Sequence, residues 1–486
     1  VRRLRALGFD DDARALSLVR VLERRRGSPF APDVARAAEA ADAGAHLLDH
    51  VAKSPDPMTA LARLPDLFRE RVPRSTVARV AHDRRTLTLA TKLLATSAPL
   101  SRMLAKHHGL DDVLARPPTT TRLRRADVRA ELAAGSHGHE EARLVAMRAV
   151  HSRRTLQHAL AFFAGRVDVH AASLSVSTLA DALIDEALAF ARDKIDARHG
   201  AVDGMRFCVL ALGSLGGREL GFFRDLDLIF VWDAPADADS AGPRTIGAGE
   251  HAARTAQQVI WALTAPLAEG ACYAVDPRLR PSGSQGALST SVASFGAYHR
   301  TSAPWEKQAL LRARFVAGSR DLGDEALAIA KRAALSTPPA GLGQRLLDMR
   351  ARMIAERASH AGLDLKMGDG GIADVEFAVQ GLQRANGLWC PSTLRGLRHL
   401  ARAKLVAHDA AHAIEAAYCD LVRAREALAL VDDKREPAVT PNDPRLDLLA
   451  RAGVLSEKTG ALAYEKLAND AATIRERCGR LMLRLP

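Results

Sequence analysis

Aromatic residues make up only 4% of this chain. Few flat faces are left for stacking unpaired bases, so recognition of single-stranded nucleic acid gets no support. Cysteine is scarce as well. Cys208, Cys272, Cys390, Cys419 and Cys478 lie far apart and form no Cys-x-x-Cys pair, which argues against a disulfide scaffold or a zinc ribbon and suits reduced thiols in the cytoplasm. No apolar run approaches the roughly 20 residues that span a bilayer, and the opening residues do not read as a secretory signal. Internal repeats and low-complexity tracts are missing too.

What is present is a globular composition, 48% hydrophobic and 26% charged over 486 residues, which is enough chain for two to four domains. Abundant Ala, Leu and Arg favour helix. The net charge is +12 and unevenly placed: residues 1–200 hold 33 Lys and Arg against 24 Asp and Glu. A basic front half invites an acidic partner or a nucleic acid. An arginine-rich solvated helix surface accounts for the same numbers.

Residues 1–115 read as a helical region, with Leu61, Leu64 and Leu67–Phe68 at helical spacing. Residues 116–335 form the next unit, opening with long helices over 141–198. Near residue 205 the period changes. MRFCVLALGSLGG reads as a strand ended by glycines, DLDLIFVWD as a second strand, EHAARTAQQVIWALTAPLAE as a helix, and ACYAVDPRLRPSGSQG as a strand entering a loop. The sheet core is thus expected at about 205–290. A helical bundle over 344–486 follows STPPAGLG. The fold class expected is α+β, predominantly helical.

Asp225 and Asp227 stand two apart at the entrance of an apolar strand, so their side chains share a face. Held together, two like charges cost free energy unless a cation sits between them. If the strand carrying Asp276 pairs alongside, three carboxylates meet, an oxygen-rich set suited to two divalent cations. The glycine turn Gly213, Ser214, Gly216 and Gly217 offers backbone N–H groups to a triphosphate. Arg278 and Arg280 alternate in phase with Asp276 and are expected to hold outer phosphates. Asp-x-Asp alone is common at strand starts; with the turn upstream and Asp276–Arg280 downstream it is the minimal kit for nucleotidyl transfer.

LGSLGGRELGFFRDLDLIFVWD, YAVDPRLRPSGSQGALSTSVASFGAYH, WEKQALLRARFVAG and DLKMGDGGIADVEFAVQ, in that order, resemble the glutamine synthetase adenylyltransferase family. That family fuses two homologous halves, each a nucleotidyltransferase domain of the DNA polymerase beta type followed by a helical bundle. One half adds AMP to a tyrosine of glutamine synthetase and the other removes it by phosphorolysis. This chain carries one copy of each motif and so corresponds to one half, or to a fragment. LGFDDDARALSLVRVL and SPDPMTALARL resemble the segment before the AMP-adding half. The resemblance implies Asp225, Asp227 and Asp276 as metal ligands, Mg²⁺ or Mn²⁺, ATP as substrate, glutamine synthetase as partner, and a PII-type signal protein as regulator. It also draws Lys366, Asp374 and Glu376 toward the nucleotide or target. Two positions depart from the family pattern: Ser214 stands where Lys is usual, and Arg224 where Ser is usual. Arg224 is expected to pair with Asp225 or to reach a phosphate.

Other readings are weighed against this one. A regulatory scaffold with a decayed site follows from Arg224 and Phe223. A nucleic-acid nucleotidyltransferase follows from the basic front half and is disfavoured by the few aromatics. Glu306, Arg312 and Arg314 read as buried structural ion pairs. His137, His139 and Glu140 read as a connector, and the doublets His82–Asp83 and His408–Asp409 as surface pairs. Without a phosphohydrolase constellation, the related uridylyltransferase of the PII protein is not favoured.

Overall fold

The structure is a computed structural model describing residues 2–25, 28–31, 38–68, 83–106, 122–136, 139–268, 270–359, 361–434 and 437–486. It is mostly helical, around one small mixed sheet. The front helices include α1 (Asp12–Arg24), α2 (Ala38–Ala52), α3 (Arg84–Thr96) and α4 (Ala98–Lys106). They gather a core of their own that includes Leu22, Val51, Leu61, Leu64, Leu87 and Leu94. Long helices α5 (Glu140–Phe163) and α6 (Val169–His199) follow. The start of α6 is fixed by Asp168, whose carboxylate accepts the Ala171 N–H, and its end by Gly200 at φ +78°, the acidic cap and glycine stop that helix termini favour.

The sheet then begins with β1 (Arg206–Ala211) and β2 (Leu226–Asp233), which pair antiparallel with Ala211 opposite Leu228. Helix α7 (Ala248–Thr264) crosses over to β3 (Val275–Asp276), ending ahead of Pro266. β3 runs parallel to β2, as does β4 (Ser289–Ser291) further along. Helices α8 (Val292–Thr301) and α9 (Arg320–Ala334) flank β5 (Arg314–Gly318), which pairs antiparallel with β1. This last strand lies outside the expected sheet core at 205–290. RFVAG is short, and it follows WEKQALLRAR so closely that helical spacing there hides the change of period.

The two-residue period of the central strands sorts the interior into two layers. Phe207, Val209, Ala211, Leu226, Leu228 and Phe230 enter the larger core, shared with α5, α6 and α7. Cys208, Leu210, Ile229 and Val231 enter the opposite one, under α8 and α9. Asp227 is in phase with Ile229 and Val231. It therefore opens on the α8–α9 face rather than into the helical core.

The rear helices include α10 (Leu342–Arg357), α11 (Ile372–Ala385), α12 (Thr393–Arg402), α13 (His408–Val431) and α14 (Gly460–Leu483). Ile372, Val375, Val379 and Leu382 form the buried stripe of α11. Two-residue strands β6 (Leu363–Asp364) and β7 (Ala438–Val439) tie the loop before α11 to the segment that follows α13. No described helix is long and apolar enough to cross a membrane.

Candidate functional site

Four segments assemble the site: the turn after β1, the entrance of β2, the end of β3, and the loop before α11. The turn is fixed first. Leu212 donates its N–H to the Asp227 carbonyl at 2.9 Å, which docks the turn on β2. Gly213 has φ +52°, and a Cβ there would stand 1.9 Å from Asp227 Oδ2; only glycine lets that carboxylate lie against the backbone. Gly216 packs as tightly on the other side, where a Cβ would meet the Arg312 carbonyl at 1.9 Å.

The N–H groups of Gly216 and Gly217 donate within the turn, to Leu212 O at 2.7 Å and Gly213 O at 3.2 Å. Those two glycines thus close the turn and seat Arg312. Gly213 and Ser214, the rest of the expected phosphate cradle, are half-buried, and Ser214 lines a small cavity with Glu219, Arg312 and Glu376.

Asp227 and Asp276 are direct register partners on the parallel pair β2–β3, which brings both carboxylates to one side. Pro277 ends β3, because it has no N–H to continue the ladder. The expected strand alternation of Asp276, Arg278 and Arg280 therefore does not form. Arg278 instead folds back on Asp276, its Nε 2.9 Å from both carboxylate oxygens and its Nη2 2.5 Å from Oδ2. That hydrogen bonding holds Asp276 below the usual carboxylate range. Arg280 braces its own loop, donating to the carbonyls of Pro277, Gly286 and Ser284 at 2.9, 3.2 and 3.3 Å.

Asp227 is in the opposite electrostatic state. Desolvation, then the charges of Asp276 and Asp225, push it up to about 6, against the opposing pull of Lys366 and Arg312. Lys366 is exposed by surface area, yet desolvation by the protein around it lowers its ammonium below the usual lysine value. Asp225 is exposed beside them.

The full convergence of three carboxylates is not formed. Among the described residues no three acidic, histidine or cysteine side chains stand around one point, and Arg278 occupies the Asp276 carboxylate. Two features still suit a hard cation. The donors are all oxygen, and a bound cation would offset the desolvation, and then the carboxylate repulsion, that raise Asp227.

Buried ion pairs lock this arrangement to the rear bundle. Arg312 donates to Gly213 O at 2.7 Å, Thr393 Oγ1 at 2.7 Å and Glu219 Oε2 at 2.6 Å, and lies 3.5 Å from Glu376. Glu219 also accepts from Ser392 Oγ at 2.9 Å and the Thr393 N–H at 2.7 Å. Glu426, buried in α13, accepts the Phe222 N–H at 2.7 Å, pairs with Arg425 at 2.9 Å, and faces Arg224 at 3.7 Å. Arg314 pairs with Asp181 at 2.7 Å. Glu306 caps its own helix and accepts from Tyr298 Oη at 2.5 Å. Asp374 is tied to Arg350 at 2.6 Å and to the Gly370 N–H at 2.6 Å, which turns it into the bundle.

Sequence reasoning missed Glu219 and Glu426. The signal for Glu426 was present: it sits with Arg425 inside the apolar run AREALALV, where a charge must be paired to be buried. Of the histidine readings, His82 and His137 lie outside the described residues. His139 precedes α5 and Glu140 begins it, with Glu140 3.5 Å from Lys194; Asp409 lies 3.5 Å from Arg477.

Comparison with known proteins places the chain in a family. Residues 87–329, half of the chain, match the family model for glutamate-ammonia ligase adenylyltransferase (GlnE). Residues 342–485 match the model for GlnD PII-uridylyltransferase, so the rear helices share a likeness that absent phosphohydrolase residues did not reveal. A "Bifunctional glutamine synthetase adenylyltransferase/adenylyl-removing enzyme" from Xanthomonas axonopodis pv. citri (strain 306) is 43% identical over 244 residues, 48% of this chain and 26% of the relative. One of the same name from Stenotrophomonas maltophilia (strain R551-3) is 37% identical over 300 residues, 60% of this chain and 32% of the relative. The matched part thus spans about a quarter to a third of these relatives' length. This chain belongs to the glutamate-ammonia ligase adenylyltransferase family.

Proposed function

We propose that this chain is a nucleotidyltransferase of the DNA polymerase beta type that transfers AMP from ATP to a tyrosine of glutamine synthetase. The observation that carries the reading is the in-register pair Asp227–Asp276, with the Asp227 carboxylate against Gly213 and Lys366 electrostatically coupled to it. Two carboxylates beside a glycine turn, with a cation opposite, suit a charge-rich phosphoryl group in transit.

Asp225, Asp227 and Asp276 are the residues that would hold Mg²⁺ or Mn²⁺, and the ion, when bound, supplies charge neutralisation at the α-phosphate and departing pyrophosphate. Gly213 and Ser214 border the triphosphate. Lys366 offers a positive charge from the bundle side. Arg278 exchanges Asp276 for a phosphate oxygen once the carboxylate is engaged elsewhere. Arg312 acts at one remove, by holding the Gly213 carbonyl and so the turn. The tyrosine oxygen bonds to the α-phosphorus as the bond to pyrophosphate breaks, and the phenol proton leaves to solvent. Placement carries more of the rate than proton transfer does in such chemistry.

The same site can run the phosphorolytic removal of AMP, which the relatives' printed name also includes. Likeness of the front segment to the part preceding the AMP-adding half favours addition. A PII-type signal protein is the regulator we would test first.

The deciding experiment offers α-labelled ATP, Mg²⁺ and unmodified glutamine synthetase to the chain and to Asp225→Asn/Asp227→Asn. Label on the synthetase that vanishes in the double variant supports addition. Release of ADP from AMP-modified synthetase and phosphate assigns removal. No transfer in either direction refutes the proposal and favours a regulatory scaffold.

A further inference from the structure

Part of the chain's excess positive charge gathers in a concavity that shares no lining residue with the candidate site. Its walls come from the end of α2, residues 53–57, the first turns of α3 and the end of the rear helix Pro444–Arg451. Its volume is about 1580 Å³ counting the solvent at its mouth. None of the described residues of the Gly213–Gly217 turn or of the carboxylate set lines it. We infer that this pocket binds a small dianion, a phosphate-bearing or dicarboxylate ligand, between the front helices and the rear helix.

The charges on its wall do not balance. Lys53, Arg84, Lys92 and Arg451 line it, against Asp49. Asp49 is taken by Lys53 at 2.7 Å, and Arg451 reaches Asp447, which lies outside the lining, at 3.0 Å. Those pairs leave Arg84 and Lys92 without a carboxylate among the described residues, a surplus of two positive charges. Lys92 is the more telling of the two. Its ammonium donates to the Phe163 carbonyl at 2.9 Å, which ties it to the wall, whereas a lysine head ordinarily reaches into water. Burial holds it below the usual lysine value, with no neighbouring carboxylate to offset the cost. One carbonyl leaves N–H donors over on that ammonium, and a bound anion would take them and relieve the desolvation.

The lining also limits what the ligand is. No Phe, Tyr or Trp stands among the described lining residues, so stacking of a nucleobase gets no support. Arg84 offers a planar fork that matches the paired oxygens of a phosphate or carboxylate, and Lys92 offers a point charge. A monoanion would leave one of these cations unmatched. The space is ample for an organic ligand that carries both charges. Such a ligand would also strengthen a join. Arg451 Nη1 donates to the Pro55 carbonyl at 2.7 Å, linking the rear helix to the segment that walls the pocket. A dianion shared by Arg84, Lys92 and Arg451 would hold the front helices and the rear helix together.

The test is isothermal titration of the chain with inorganic phosphate and, separately, with succinate, against sodium chloride at matched ionic strength, since screening alone weakens exposed charge pairs. Arg84→Gln and Lys92→Gln each remove one unpaired cation, and thermal melting in chloride verifies their folds. The expected result is saturable binding of at least one of the two anions, weakened by roughly tenfold or more in each variant. The anion that binds more tightly tells a phosphate ligand from a dicarboxylate. Arg84 is exposed, so Arg84→Gln decides the matter alone if Lys92→Gln does not fold. Heats no larger than those of chloride for both anions overturn the inference. Binding that persists unweakened in the folded variants places the anion elsewhere, the carboxylate site included, and overturns it too.

Discussion

Replacing Gly213 by alanine tests the site at its tightest contact. The added Cβ would stand 1.9 Å from Asp227 Oδ2, where ordinary van der Waals contact begins near 3.4 Å. The carboxylate must therefore retreat by about 1.5 Å, or the turn must lift by as much. Misplacement by about 1 Å costs on the order of 10²-fold in rate when positioning dominates, so Gly213→Ala should lower kcat/KM for AMP transfer by at least about 10²-fold. The substitution also forces a side chain into φ +52°, which costs roughly 1–2 kcal/mol. Gly165→Ala isolates that second effect, because Gly165 has φ +65° and nothing within 4 Å of its added Cβ. The assay compares transfer rates and melting temperatures of the two variants with the parent. Similar melting losses with a rate loss confined to Gly213→Ala is the expected result. Activity of Gly213→Ala within twofold of the parent would refute the idea that the Asp227 carboxylate must sit where the glycine lets it.

Arg312→Met should destabilise the fold by about 3–5 kcal/mol, since removing one partner of a buried pair strands the other; a denaturation midpoint near the parent's would contradict this. Arg278→Ala frees Asp276, so Mn²⁺ alone should bind more tightly while Mn²⁺–ATP binds less tightly, and isothermal titration that finds both unchanged would remove Arg278 from the site. His158 and His299 are buried, and desolvation pushes each down to about 4, whereas the unfolded chain titrates near 6.5. Between those values the unfolded state binds more protons, so stability is whole above about pH 6.5 and falls toward pH 4, by at most about 3 kcal/mol per histidine. Melting temperatures across that range should show the fall, and His158→Leu should flatten it; an unaltered slope would count against the assignment.

The parts of the site that local sequence pattern could reveal are those set by local rules. Asp225 and Asp227 share a face because strands alternate, and the apolar run behind them fixes the strand. Asp276 was found because a helix between two strands predicts a crossover and a parallel partner, although its exact register opposite Asp227 is a property of the sheet. Arg278 and Arg280 were misphased because the alternation was carried past Pro277. The resemblance drew Asp374 toward the nucleotide or target, yet its partner Arg350 lies on another helix, so nothing local could reveal that pairing. β5 was missed for a similar reason: five residues beside a helical run become a strand only because β1 offers them an edge. Glu219 and Glu426 act across more than 170 residues of chain, and only the tertiary fold brings such partners together.

Those long-range partners change what the rear bundle is for. The loop from Gly217 to Asp225 joins the turn to the carboxylate pair, and both of its ends are held by buried carboxylates. Glu219 is gripped by Ser392 and Thr393 at the start of α12, and Phe222 is gripped by Glu426 of α13. Arg312 then ties the Gly213 carbonyl to Thr393, and Lys366 brings a charge to Asp227 from the loop before α11. Apart from the Arg312–Gly213 bond, which lies within the sheet region, each of these contacts has one member in the sheet region and one in the bundle. A rigid shift of α12 or α13 cannot leave the turn and the Asp pair where they were without breaking a buried charged hydrogen bond, which is costly. The bundle therefore serves as the frame on which the geometry of the candidate site is set. A ligand or protein that binds the rear helices more tightly in one position than another acquires, through these pairs, a direct hold on the carboxylates.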